Sequence, residues 1–92
     1  MKKGAKLTIQ GTVQGVLYRQ FAKENADNLK LKGFVRNLTD GNVEVIVEGE
    51  KDNIDRLEKI LLKGPEHSQI RNIDREEKKW SGEFKIFKVL RI

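Results

Sequence analysis

The sequence predicts an α+β fold: two helices on one face of an antiparallel sheet, in the order strand–helix–strand–strand–helix–strand, with one further C-terminal edge strand. Three observations carry this reading. Two stretches, from Arg19 to about Lys30 and from Asp52 to Leu62, set apolar residues at helical spacing. Short alternating runs lie on either side of each, bounded by Gly, Asp-Gly and Gly-Pro. The 92 residues contain no linker, low-complexity tract or short repeat. They therefore read as one domain, 1–92, able to bury roughly two-thirds of its unfolded surface in a single core.

Ala5 to Gln10 alternates and reads as the first strand. In the first helix Phe21, Ala22, Ala26 and Leu29 share one stripe, with Lys23, Glu24 and Asp27 off it. Lys30-Leu31-Lys32-Gly33 ends that helix, with basic residues at its negative end and a glycine to break it. Phe34 to Leu38 and Val43 to Val47 form two antiparallel strands around Thr39-Asp40-Gly41-Asn42, where Asp-Gly accepts the positive φ of a tight turn. The second helix carries Ile54, Leu57, Ile60 and Leu61, with Asp52 and Asp55 early and Lys63 late, in keeping with the dipole. Gly64-Pro65 stops it. Ile70 to about Trp80 is expected as the fourth strand, Ser81-Gly82 as a turn, and Phe84 to Ile92 as a fifth strand or extended edge. This order is a split βαβ arrangement in two layers.

Composition removes several chemistries. There is no cysteine, which excludes disulfides, a thiolate nucleophile and Cys-ligated metal. No apolar run is long enough to span a bilayer, and Met1-Lys2-Lys3-Gly4 has no apolar segment behind it, so a soluble cytoplasmic protein is expected. Nineteen Lys+Arg against 14 Asp+Glu give a net charge of +5, a field that attracts anions of any size.

The chemistry concentrates in Gly11-Thr12-Val13-Gln14-Gly15-Val16-Leu17-Tyr18-Arg19. A strand passing through a Gly-bearing loop into a helix N-terminus can turn backbone N–H groups toward one point, where the helix dipole favours an anion. Arg19 adds a planar, permanently charged fork that matches phosphate oxygens. Taken alone, these features fit a phosphate site, but a glycine pair of this spacing is more often a tight strand-to-helix connection with a solvated arginine.

This loop, with Gly33-Phe34-Val35-Arg36-Asn37, Asp40-Gly41-Asn42-Val43-Glu44, Glu48-Gly49 and Gly64-Pro65, resembles the acylphosphatase family over nearly the whole chain. The resemblance implies a ferredoxin-like α/β sandwich that hydrolyses acyl phosphates to a carboxylate and inorganic phosphate, with no metal and no cofactor. It places the phosphate on the Arg19 guanidinium, and the loop amides of Gln14, Gly15, Val16, Leu17, Tyr18 and Arg19 are expected to hold the terminal oxygens with it. It gives Asn37 the attacking water. Without it, an asparagine near a strand end reads as a turn-capping amide. Inorganic phosphate and sulfate are expected to inhibit, and a monomer is expected. Departures from the family pattern are Tyr18 where phenylalanine is usual, a C-terminus with no closing aromatic residue, and a loosely matching loop at 65–69. The Tyr18 hydroxyl must find a partner or solvent.

The other conspicuous residues read as structural. His67 lies in a polar loop, and Glu76-Glu77-Lys78-Lys79 is a solvated strand face. Asp52 and Asp55 are helix-start charges, and Trp80 packs on a hairpin or edge. Lys32-Gly33-Phe34-Val35 has one aromatic of an RNA-stacking strand, but Arg36 and Asn37 stand where further ones are needed, so nucleic acid is not an expected partner.

Overall fold

The computed structural model describes residues 1–12, 16–66 and 68–91, with Thr12 and Val16 as backbone only. The elements are β1 (Lys2–Thr12), α1 (Val16–Asn28), β2 (Lys32–Asn37), β3 (Val43–Glu50), α2 (Lys51–Lys63), β4 (Gln69–Lys78) and β5 (Phe87–Val89). The strands form one sheet in the order β4-β1-β3-β2-β5. Ala5, Leu7 and Ile9 of β1, Val43, Val45 and Val47 of β3, and Val35 of β2 are buried against Ala22 and Ala26 of α1 and Ile54, Leu57 and Leu61 of α2. Period-2 alternation on the strands thus meets helical stripes across a single core. The fold is the expected ferredoxin-like α+β sandwich.

The β2–β3 hairpin forms as the sequence implies. Asn37 pairs with Val43, the Leu38 N–H donates to the Asn42 carbonyl at 2.8 Å, and Gly41 takes φ 93°. Several expectations need correction. The sheet is mixed rather than wholly antiparallel, because β5 pairs with β2 in parallel. β5 is only three residues long, and it lies at the edge opposite β4. Ser81-Gly82 therefore sits in a connection that crosses the end of the sheet. Buried Glu48 holds that connection: it accepts from the Ser81 N–H at 2.9 Å, the Ser81 hydroxyl at 2.7 Å and the Gly82 N–H at 3.0 Å. β3 runs on to Glu50, so Glu48-Gly49 belongs to the strand.

Gly33 does not end α1. Lys30, at φ 59°, makes the left-handed turn, and the Leu31 N–H returns to the Ala26 carbonyl at 2.9 Å. Gly33 is a glycine for another reason: a Cβ there would collide with the Ile46 carbonyl of β3.

Candidate active site

Three elements meet at one end of the sheet. β1 reaches this end through a register shift between Gln10 and Gly11. A Cβ on Gly11 would strike the Gln69 carbonyl, so this glycine permits the close approach of β4 instead of shaping the loop. Val13, Gln14 and Gly15 lie outside the described residues. The chain re-enters as α1 at Val16, so the N–H groups of Val16, Leu17 and Tyr18 stand in the first turn, before the i→i−4 hydrogen bonds of the helix begin. The first turn holds no acidic residue, which leaves the positive end of the dipole uncompensated.

The side chains divide sharply. Leu17 is 81% exposed, whereas Tyr18 is buried. The Tyr18 hydroxyl donates to the Leu61 carbonyl at 2.9 Å, and burial raises its pKa above the usual tyrosine value. The tyrosine thus packs into the core, and only its amide is offered to the site.

Asn37 ends β2 at this same end, in a rung that continues through Val43 to Ile9. It shares the helix-facing side of the strand with buried Val35. Its Oδ1 is a buried acceptor with no hydrogen-bond partner among the described residues. The Arg19 guanidinium comes to this strand by way of the C-terminal segment. Its Nη1 donates to the Leu90 carbonyl at 3.1 Å, and the Leu90 N–H donates to the carbonyl of Val35, two residues before Asn37, at 2.9 Å. Leu90 went unnoticed in the sequence because its contribution is a backbone oxygen, which no residue type announces. Among the described residues no group of three or more His, Asp or Glu is placed to hold a metal ion.

A ferredoxin-like sandwich that brings to one end a helix start with no acidic residue in its first turn, an arginine and a carboxamide oxygen unpartnered among the described residues has the layout of a small anion-handling α+β protein. The comparisons make the class specific. The family model described as Acylphosphatase matches residues 5–89. An acylphosphatase from Pseudomonas aeruginosa is 48% identical over 69 residues, covering 75% of this chain and 76% of that protein. Solved structures similar to it include the acylphosphatase from Coxiella burnetii, with TM-score 0.90, 34% identity and coverage of 97% of this chain and 93% of that one. The acylphosphatase from Bacillus subtilis superposes with TM-score 0.92 at 28% identity, over 99% of this chain and all of that one. The chain belongs to the acylphosphatase family. It is an enzyme, a hydrolase with acylphosphatase activity. Among the described residues no helix is long and apolar enough to cross a membrane.

Proposed function

We propose that the chain hydrolyses the carboxyl–phosphate bond of acyl phosphates by in-line attack of a water, with the phosphate on the α1 amides and Arg19 and the water on Asn37. The observation that carries this reading is the buried Asn37 Oδ1, which has no partner among the described residues. An orphaned acceptor in a low-dielectric setting costs about 1–3 kcal/mol, so folds retain few of them without a use. A water that donates to this oxygen satisfies it and is fixed beside the strand that Arg19 reaches.

The chemistry matches so sparse a set of groups. An acyl phosphate carries a leaving group that departs as a carboxylate and needs no proton at neutral pH. The water oxygen bonds to phosphorus, the bond to the acyl oxygen breaks, and the electron pair leaves with the carboxylate. The water's proton passes to a phosphate oxygen, giving inorganic phosphate. Charge in the loose transition state spreads over the equatorial oxygens, so positioning and electrostatic complementarity are what the protein supplies. The Leu90 carbonyl fixes one nitrogen of the guanidinium and so aims the rest of the fork. Loop amides at Gln14 and Gly15 complete the cradle in this reading. Inorganic phosphate and sulfate compete for it as inhibitors, and one chain supplies every group named, so a monomer suffices.

The test is release of carboxylate and phosphate from benzoyl phosphate in EDTA, with Arg19→Ala alongside. The parent turns over, and Arg19→Ala loses on the order of 10²–10³ in rate. Arg19→Lys also fails, because an ammonium cannot supply the planar fork. No turnover by the parent, or an Arg19→Ala variant within tenfold of it, overturns the proposal.

A further inference from the structure

At the other end of the sheet lies a second concave site, and we propose that it binds a nucleoside diphosphate. Its distance from Asn37 follows from the register. Lys32 opens β2 and pairs with Glu48, and Asn37 closes the strand five residues later, roughly 17 Å away. The pocket holds about 310 Å³, at the lower end of the size range of small-molecule sites. Lys2, Lys30 and Lys32 supply its cations, and Trp80 and Phe84 supply apolar walls.

The cations are available to a ligand. Among the described residues neither Lys30 nor Lys32 takes part in an ion pair. The two carboxylates in the pocket are already engaged. Glu48 is spent on the Ser81 and Gly82 donors, and Glu50 pairs with the N-terminal ammonium at 2.7 Å. The Lys2 ammonium rests 5.1 Å from the centroid of the Trp80 ring. A cation over an aromatic face is a contact that a stacked base replaces, freeing the ammonium for phosphate.

Backbone conformation gives an independent indication. Lys30 occupies the left-handed region at φ 59°, where glycine or asparagine is the ordinary choice. A lysine in that conformation, at the lip of a pocket with two more lysines, is strain located at a site. Three ammonium groups beside two aromatic rings match a ligand with two phosphates and a planar body. A lone inorganic anion would leave the rings unused, and an uncharged aromatic would leave the lysines unused. The proposal stands independently of the catalytic reading.

Trp80 is the only tryptophan, so its fluorescence reports this pocket and nothing else. The full chain is titrated with ADP. Saturable quenching with half-saturation below about 1 mM is expected. Lys32→Ala and Lys30→Gly each weaken it by about tenfold, as loss of one charge-assisted contact requires. Both variants keep benzoyl phosphate turnover, and glycine suits the φ of position 30. Adenosine binds at least about tenfold more weakly than ADP. Arg19→Ala leaves the quenching unchanged. Absence of saturation, equal binding of adenosine and ADP, loss of quenching in Arg19→Ala, or unaltered affinity in both lysine variants overturns the proposal.

Discussion

Asn37→Ala separates a catalytic carboxamide from a structural one, because the two roles move stability and rate in opposite ways. In the folded protein Oδ1 is buried and has no partner among the described residues. Truncation to alanine removes an acceptor whose desolvation costs about 1–3 kcal/mol. It also removes a small side chain, whose lost packing costs a comparable amount for so few atoms. The two contributions oppose each other, so the midpoint of urea unfolding should stay within about 1 kcal/mol of the parent's stability. The rate should not survive. Loss of a group that positions the nucleophile costs on the order of 10²–10³ in kcat, equivalent to about 3–4 kcal/mol. Inhibition by inorganic phosphate should change little, since the carboxamide holds the water and not the phosphate. The assay is steady-state hydrolysis of benzoyl phosphate with phosphate as competitor, on the protein used for the urea series. A variant destabilised by more than about 2 kcal/mol with kcat within tenfold of the parent would mark Asn37 as a capping amide. A variant that loses phosphate affinity but keeps turnover would move the side chain onto the phosphate.

Two further outcomes follow from the same structure. Tyr18→Phe leaves the Leu61 carbonyl without its 2.9 Å donor and should cost about 1 kcal/mol in chemical denaturation, with benzoyl phosphate turnover unchanged. A large loss of kcat there would bring the hydroxyl into the chemistry. Stability should fall on acidification. Hydrogen bonds from Arg75 and then Lys51 lower the pKa of Asp55, and the N-terminal ammonium and Lys78 do the same for Glu50 and Glu76. A carboxylate whose folded pKa is depressed stabilises the fold above its unfolded pKa, about 4, and loses that contribution as pH falls through the folded value. A thermal midpoint constant from pH 6 down to 2 would contradict this.

What was legible in the sequence was mostly local. Asp40-Gly41 specifies its hairpin through one glycine at φ 93° and through Asp40 Oδ1, which accepts from the Asn42 N–H two residues on at 3.0 Å. The stripe of α2 was read correctly because Ile54, Leu57 and Leu61 recur at the helical period and all three are buried. The placement of β5 was not legible. Alternation in residues 84–92 says that an edge strand exists, but the choice of β2 and of parallel pairing depends on where Glu48 anchors the crossing. Lys30 and Gly33 were misread for a related reason. The expected breaker was the glycine, yet the left-handed residue is a lysine, and the glycine answers a clash with β3 that only the sheet register reveals. Arg19 was singled out by the glycine-bearing loop it closes, and Asn37 by likeness to a family. Taken by residue type alone, they read as a solvated arginine and a turn-capping amide.

The bond from Arg19 to Leu90 joins residues 71 positions apart. Ribosomes extend a polypeptide from its N-terminus, so the anion-binding arginine emerges long before the carbonyl that steadies it. A nascent chain can form α1 and the β2–β3 hairpin early, yet this guanidinium contact waits until Leu90 has been added. Closing so long a loop is also entropically slow. Catalytic competence should consequently arrive late in biogenesis, after most of the hydrophobic interior has already condensed.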